Sequence, residues 1–144
     1  MQGMIFMTLK WREQLSVGND LIDSDHQYLI EIINAAEHSL KTNDRAGLTV
    51  ALTKLSKYSK MHFAREEKLA RAIGYSQSSN EHVTHEALIW SLSHFIQEIG
   101  EDWTTSSGEH FGAFLRNWMM NHVIKEDMLM KPLLKKYSPR FDPR

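Results

Sequence analysis

The sequence contains no cysteine among its 144 residues. This absence excludes disulfide bonds, iron–sulfur clusters and every thiolate metal ligand. Any transition-metal site must therefore be built from His, Asp and Glu side chains. The chain has eight histidines, so such a site is chemically available.

Long hydrophobic runs and an excess of one charge are also missing. No stretch approaches the ~18 consecutive apolar residues that a membrane-spanning helix needs. The net charge is −1, so no broad basic field favours nucleic acid or an anionic membrane. The apolar start, Met1 to Met7, lacks the basic flank of a signal peptide and soon reaches Lys10. We therefore expect a single cytoplasmic domain over residues 1–144, with neither nucleic acid nor membrane as a partner.

Glycine and proline are scarce, with seven and three residues, and this scarcity favours helix throughout. Gly74 has the position of a glycine that ends a helix. Apolar residues recur at steps of three and four, which is typical of amphipathic helices. They predict an irregular arm at 1–18 and helices at about 19–41, 44–73, 79–100 and 108–137. Long helices with short links predict an all-α fold, an antiparallel up-down-up-down four-helix bundle.

Each predicted helix carries metal-ligating side chains on its apolar face. His62 and Glu66 are four residues apart, so they share one face of a helix. A carboxylate on an apolar face needs a cation or a donor, because burying an unpaired charge is costly. A lone histidine such as His26 is more often a hydrogen-bonded core residue, but four helices with the same feature predict a metal site. The set is His26, His62 with Glu66, Glu81 or His82 with His85, and His122 with Asp127.

These side chains stand within motifs that extend over nearly the whole chain. Each motif is weak alone, and together they are specific. They are Trp11 with Leu15-Ser16-Val17-Gly18, Ile22-Asp23-Ser24-Asp25-His26, His62-Phe63-x-x-Glu66-Glu67, Gly74-Tyr75, His85, and Trp118-Met119-Met120-Asn121-His122 followed by Asp127. The combined pattern resembles the hemerythrin family, and bacterial hemerythrins in particular.

The resemblance implies a non-haem centre of two iron ions, bridged by an oxo or hydroxo group and by carboxylates, that binds O2. One iron would keep an open coordination position for O2. The implied ligands are His26 and His62 on that iron, His85 and His122 on the other, and Glu66 and Asp127 as bridges.

The resemblance also implies a pocket for O2 beside the irons. Its walls would be Leu29, Phe63, Trp118 and Met120. Ordinary core packing explains the same residues equally well, since the wall of a buried pocket is core. Peroxide or nitric oxide are alternative small ligands for such a centre.

The third helix departs from the family, which has His-x-x-x-His where this chain has Glu81-His82-Val83-Thr84-His85. The register fixed by Glu66 and Tyr75 puts Glu81 in place of the first histidine. Glu81 is then a ligand, giving four histidines and three carboxylates. Alternatively, His82 binds after a shift of the first helical turn, at a spacing of three residues from His85. A third interpretation is a helix-capping role, in which Glu81 closes a capping box with Ser78.

Two consequences follow from the ligand positions. A third carboxylate would add negative charge, which favours ferric over ferrous iron and admits manganese at one position more readily. The step from His122 to Asp127 is five residues, which turns about 500° on a regular helix and leaves the two side chains some ~140° apart. We therefore expect either that the two groups straddle the apolar face or that the helix is locally distorted.

The sequence leaves three functions open. The favoured one is O2 binding for storage, delivery or sensing, without turnover. The second is a di-iron oxidase, a peroxidase or an enzyme that handles nitric oxide, for which carboxylate-rich di-iron bundles offer an analogy. The third is a metal-handling bundle without O2 chemistry.

Overall fold

The computed structural model describes residues 8–143, and four long helices make up most of that range. They are α1 (Asp20–Lys41), α2 (Arg45–Ala72), α3 (Ser78–Ile99) and α4 (Thr105–Asn117). Each helix packs against its neighbours in the chain, and α4 closes the bundle against α1. Residues 8–143 contain no β-strand, so the predicted all-α four-helix bundle is confirmed.

The polypeptide beyond α4 stays helical but changes its winding. A π-helical segment, Trp118–Ile124, is followed by two single-turn helices, α5 (Lys125–Met128) and α6 (Lys131–Leu134). A π-helix bonds each N–H to a carbonyl five residues earlier, so it turns less per residue than an α-helix. The long helix that was predicted at 108–137 therefore begins earlier, at Thr105, and is divided into differently wound parts.

Side chains that precede α1 and α2 fix where these two helices start. The Asn19 side chain accepts a hydrogen bond from the Ile22 N–H at 3.2 Å. Asp44 accepts one from the Gly47 N–H at 2.9 Å. Both are N-caps, which satisfy backbone donors that have no partner within the helix. Such caps are set locally by the sequence.

Gly74 ends α2 in the left-handed backbone region, with φ of +70°. The Tyr75 N–H donates to the Ala70 carbonyl at 2.9 Å, and the Gly74 N–H donates to the Arg71 carbonyl at 3.2 Å. This pair of bonds is a Schellman motif, for which glycine is preferred because it lacks a Cβ. The turn fixes the direction in which the chain enters α3.

The N-terminal arm follows an irregular path over the bundle. Residues 1–7 of the predicted arm lie outside the described residues. Leu9 donates its N–H to Asn34 and accepts from the same side chain, at 3.1 and 2.9 Å. Trp11 and Leu15 pack on the main core. The arm therefore covers α1.

Two apolar clusters fill the bundle, and a polar layer falls between them along the helices. On α1, Ile22 belongs to the smaller cluster and Leu29 to the larger, with His26 between them. On α2, Phe63 belongs to the larger cluster and Leu69 to the smaller, with Glu66 between them. Among residues 8–143, no helix combines the length and apolar character that crossing a bilayer requires.

Candidate metal centre

Four buried side chains meet in the polar layer. They come from α1, α2 and α5, and one ligand atom from each lies within 4.8 Å of the others. His26 Nε2 is 2.6 Å from Asp127 Oδ2, and His62 Nε2 is 3.4 Å from the same oxygen. His62 Nε2 is also 3.3 Å from Glu66 Oε1. The members of this cluster are His26, His62, Glu66 and Asp127.

Helix α3 adds two side chains next to this cluster. His85 Nε2 is 3.3 Å from Glu66 Oε1 and 3.1 Å from Glu81 Oε2. Both residues are buried. Glu66 therefore lies between the imidazoles of His62 and His85, which is the position a bridging carboxylate needs. Six of the seven predicted ligands come together in this way.

The structure separates Glu81 from His82. Glu81 turns inward against His85, whereas the His82 side chain is 66% exposed. His82 Nδ1 lies 3.0 Å from Glu67 Oε1, and its Nε2 lies 2.8 Å from Glu86 Oε1. No capping box forms with Ser78, because the residue before the helix is Gln77 and its side chain makes no cap bond. Of the three interpretations of α3, the geometry favours Glu81 as the interior group.

His122 is the predicted ligand that does not reach the cluster. It is exposed within the π-helical segment, and its Nε2 is 3.4 Å from the Asn117 amide nitrogen. Asp127, five residues later, is buried in the cluster. The local distortion expected between these residues is present, but it directs only Asp127 inward. The role of His122 as a ligand stays a prediction.

Asp25 is a functional candidate that the sequence reasoning missed. Its carboxylate is buried and accepts hydrogen bonds from His62 Nδ1, Tyr58 and Arg65 at 2.8, 2.8 and 2.7 Å. A carboxylate on the distal nitrogen of a metal-binding histidine fixes its tautomer and raises its basicity. The available signal was its position three residues after the apolar Ile22, on the inward face of α1.

Glu67 has the same relation to His85. Its two oxygens lie 3.0 Å from His82 Nδ1 and 3.0 Å from His85 Nδ1. The two supporting carboxylates differ in their surroundings. Asp25 is buried beside the Arg65 guanidinium, whereas Glu67 is linked through His82 to the exposed Glu86. One side of the centre is therefore enclosed, and the other leads to the surface.

Burial and charge shift the pKa of several of these groups. Burial and the Asp127 carboxylate raise the pKa of Glu66 to about 8. Burial lowers the pKa of His85, but the carboxylates around it outweigh burial and raise that pKa to about 10. Burial also lowers the pKa of His62, but the charge of Glu66 raises it. The pKa of His62 therefore lies well above its usual value. Without a cation, the cluster therefore retains protons to balance its carboxylates.

The carboxylates of Asp25 and Asp127 are held in their ionised form. Burial raises the pKa of Asp25, but His62, Tyr58 and Arg65 together hold it below its usual range. Burial acts the same way on Asp127, but the adjacent Glu66 and the hydrogen bond with His26 lower its pKa. Two ionised carboxylates at this depth indicate a site built to receive positive charge.

The buried polar atoms that lack a hydrogen-bond partner are consistent with a metal site. Both carboxylate oxygens of Glu66 are buried without a hydrogen-bond partner. The Nε2 atoms of His62 and His85 lie 3.3 Å from Glu66 Oε1, close enough for an ion pair. They are not aligned to donate a hydrogen bond to this oxygen. Orphaned buried groups of this kind are rare and need an explanation such as an ion. A donor set of imidazoles and carboxylates suits iron or manganese.

The predicted walls of the O2 pocket belong to the larger apolar cluster or pack against it. Leu29, Phe63 and Trp118 are buried, and Met120 is partly buried beside them. The Phe63 ring stacks on His85 with 4.1 Å between centroids. Trp118 Nε1 donates to the Leu88 carbonyl at 3.0 Å, which anchors the indole. These contacts are those of core residues.

Several known proteins are similar to this chain over most of its length. A family model described as the hemerythrin HHE cation-binding domain matches residues 17–134. Bacteriohemerythrin of Pseudomonas paraeruginosa is 29% identical over 121 residues, covering 83% of this chain and 76% of that protein. Bacteriohemerythrin of Clostridium acetobutylicum is 28% identical over 122 residues, covering 81% and 94%. A wild-type hemerythrin crystal structure superimposes with a TM-score of 0.75 at 23% identity, covering 89% and 98%, and shows the fold alone.

Proposed function

The chain belongs to the hemerythrin family, as its motifs predicted, and we propose that it is a non-haem di-iron protein that binds O2. The observation that carries this proposal is the buried cluster of His26, His62, Glu66 and Asp127, with His85 and Glu81 beside it. Only imidazole and carboxylate donors are present, which iron accepts. Iron would supply the redox-active ion to which O2 binds.

We assign the donors to two ions. His26 and His62 would hold the first ion, and Glu66 and Asp127 would be shared between the two ions. The position of Glu66 Oε1, 3.3 Å from the Nε2 atoms of both His62 and His85, supports the bridging role. His85 would hold the second ion, and Asp25 and Glu67 keep the imidazoles of His62 and His85 oriented through their Nδ1 atoms.

Glu81 is the proposed ligand that distinguishes this chain from the family pattern. Its burial and its 3.1 Å approach to His85 support this role over that of His82. His122 remains a proposed ligand of the second ion, which would require the π-helical segment to rewind and turn its imidazole inward. Leu29, Phe63, Trp118 and Met120 would wall the O2 pocket and exclude water from it.

An oxidase or peroxidase is the second candidate function. The observation that favours it is the third interior carboxylate, Glu81, because carboxylate-rich di-iron bundles include enzymes. Peroxide or nitric oxide would then be substrates. The same donors would also accept manganese at one position.

The test is O2 addition to the iron-loaded, reduced protein. We expect two iron ions per chain and a visible absorption band that forms with O2, persists, and disappears when O2 is removed. Glu66→Ala should abolish the band, and the surface variant Glu98→Ala should retain it. A transient band with steady consumption of O2 would instead support the oxidase. Two bound ions with no band at all would contradict O2 binding.

A further inference from the structure

Ser59 is a buried serine of α2 that has no role in the proposed metal centre. It has no exposed surface, and its Oγ finds no hydrogen-bond partner among residues 8–143. A serine inside a helix can donate its hydroxyl to the carbonyl four residues earlier, but Ser59 forms no such bond to Leu55. Leaving a buried hydroxyl unpaired costs free energy, so this side chain needs an explanation.

The direction of the Ser59 side chain follows from helix geometry. Seven residues separate it from Glu66, and seven residues turn about 700° on an α-helix, so the two side chains leave the helix axis within ~20° of each other. Glu66 belongs to the buried cluster of possible metal ligands. Ser59 therefore faces the same interior as Glu66, about two turns earlier along α2.

The neighbours of Ser59 place it at the level of the predicted O2 pocket. Tyr58 touches Tyr28 of α1, with 4.6 Å between the ring centroids. Leu29 follows Tyr28, as Ser59 follows Tyr58. Leu29 and Ser59 are both buried, so they face the interior at about the same height of the bundle. Leu29 is one of the residues proposed to wall the pocket.

Two further wall residues lie close to the same level. Phe63 is one helical turn after Ser59, and helical side chains lean towards the N-terminus, so its ring leans back over the turn that carries Ser59. The Phe63 ring is 6.2 Å from the ring of Trp118, another wall residue. His62, in the cluster, is also one turn from Ser59. The hydroxyl is therefore next to both the apolar walls and the His62 side of the cluster.

The other polar groups at this level already have partners. Trp118 Nε1 donates to the Leu88 carbonyl at 3.0 Å, and the Tyr58 hydroxyl donates to Asp25 at 2.8 Å. Within the described part of the chain, Ser59 has the only buried side-chain hydroxyl that lacks a partner. It is therefore a donor available to a molecule in the pocket.

We propose that Ser59 is a specificity-determining residue, whose hydroxyl donates a hydrogen bond to the small ligand in this pocket. The inference rests on the proposed function, because the ligand is O2 or an anion beside the first ion. Free O2 is a poor acceptor, but O2 that takes electron density from iron carries negative charge, and hydrogen bonds to charged acceptors are the strong ones. A fixed donor in an apolar wall therefore favours such a ligand.

The first test is the rate of O2 release from the iron-loaded, reduced chain, measured by stopped-flow mixing with an O2 scavenger. Ser59→Ala should release O2 about tenfold faster, the scale of a hydrogen bond to a charged group. The control is Ser93→Ala, at an exposed serine of α3, which should release O2 at the original rate. Equal rates in Ser59→Ala and the original chain would overturn the proposal.

A matched pair of variants separates the hydrogen bond from the size of the pocket. Ser59→Thr and Ser59→Val introduce side chains of nearly the same shape, of which only threonine carries a hydroxyl. The valine variant should release O2 about tenfold faster than the threonine variant. Release at the same rate from both would mean that volume alone matters, which would overturn the proposal.

Azide binding to the oxidised, iron-loaded chain tests Ser59 without O2. Its dissociation constant should rise about tenfold in Ser59→Ala and stay unchanged in Ser93→Ala. If the original chain forms no band with O2 but azide binding weakens in this way, the proposed O2 binding fails and the role of Ser59 stands. If the band forms and neither O2 release nor azide affinity changes, the role of Ser59 fails and O2 binding stands.

The metal-free chain tests whether the hydroxyl is unpaired within the fold. Ser59→Ala should have a midpoint of thermal unfolding no lower than that of the original chain, because it removes an unsatisfied polar group and introduces a better helix former. Circular dichroism melts measure both midpoints. A lower midpoint would mean that the hydroxyl already has a partner inside the protein, and would overturn the proposal.

Discussion

At Glu81, a carboxylate occupies the interior while the neighbouring imidazole of His82 lies in solvent. The exchange matters because a glutamate ligand is an anion and a histidine ligand is neutral. With Glu66 and Asp127, Glu81 makes a third negative charge around the proposed ions. Additional negative charge stabilises ferric iron relative to ferrous iron, so the residue bears directly on the lifetime of the reduced protein.

We predict that Glu81→His slows oxidation of the O2-bound protein by removing this charge. The measurement is the decay of the absorption band in air, compared with the original chain. Glu81→Gln, which removes the charge and keeps the shape, should also slow the decay. The control is Glu86→His, at an exposed position on the same helix. An equal or faster decay in Glu81→His would count against an interior charge at this residue.

Asp25 supports the proposed metal centre through its hydrogen bond to His62. It accepts hydrogen bonds from His62, Tyr58 and Arg65, so its removal leaves three donors without their acceptor. We predict that Asp25→Asn lowers metal affinity about 10–100-fold, the usual effect of losing such a partner. Chelator competition measures this affinity.

Two control substitutions distinguish the loss of the Asp25 hydrogen bond to His62 from a general disturbance of the fold. Arg65→Gln keeps the Asp25 carboxylate and should have a smaller effect on affinity. Asp102→Asn removes an exposed partner of Arg45 and should have none. If Asp25→Asn binds metal as tightly as the original chain while remaining folded by circular dichroism, Asp25 does not orient the ligand.

Among the elements, the π-helical segment Trp118–Ile124 decides which side chains face the cluster. Met119, Val123 and Asp127 recur every four residues and are buried, whereas His122 is exposed. We predict that His122→Ala weakens binding of the second ion and leaves the first ion in place. Metal analysis after graded chelation measures the two occupancies.

The matched control is His38→Ala, an exposed histidine on α1. It should retain both ions with unchanged affinity. Retention of both ions by His122→Ala, at the affinity of the original chain, would limit the ligand set to the six residues that already converge.

The turn between α2 and α3 controls the register of Glu81. Gly74 has φ of +70°, a region that costs other residues about 1–2 kcal/mol. We predict that Gly74→Ala lowers the free energy of unfolding by about 1 kcal/mol, measured by urea denaturation. Gly74→Asn should lower it less, because asparagine tolerates this conformation. Equal stability of the alanine variant would contradict the conformational argument.

The long helices could be predicted because their signals are local. Apolar spacing, Asn19 and Asp44 as caps, and Gly74 as a terminator lie within a few residues of the boundaries they set. The orientation of His122 could not be predicted, since it depends on how one segment is wound. The role of Asp25 was missed because its partners lie 33 to 40 residues away. Contacts between distant residues leave no periodic signal.

At the scale of the whole molecule, the cluster links stability to pH. In metal-free protein, the pKa of His85 is raised from 6.5 to about 10, so its stabilising contribution is complete below pH 6.5 and is lost towards pH 10. The pKa of Glu66 is raised from 4.5 to about 8, so over that interval the unfolded chain loses this proton while the folded chain keeps it, and the fold loses stability as the pH rises. Both shifts act in the same direction as the pH rises.

We predict that the midpoint of thermal unfolding of the metal-free protein falls continuously between pH 6.5 and pH 10. Bound metal should flatten this dependence, because the cations replace the protons that the cluster retains. Circular dichroism melts with and without chelator measure both curves. A metal-free midpoint that is constant over this range, or that rises, would contradict the assigned pKa shifts.

The central claim is that the polar layer of the bundle holds two metal ions, and anomalous diffraction at the iron edge tests it most directly. Crystals of the iron-loaded chain should give two interior peaks. One peak should lie beside His26 and His62, the other beside His85 and Glu81, with Glu66 and Asp127 between them. An interior without anomalous peaks, or iron bound only at the exposed His82 and Glu86, would contradict the account.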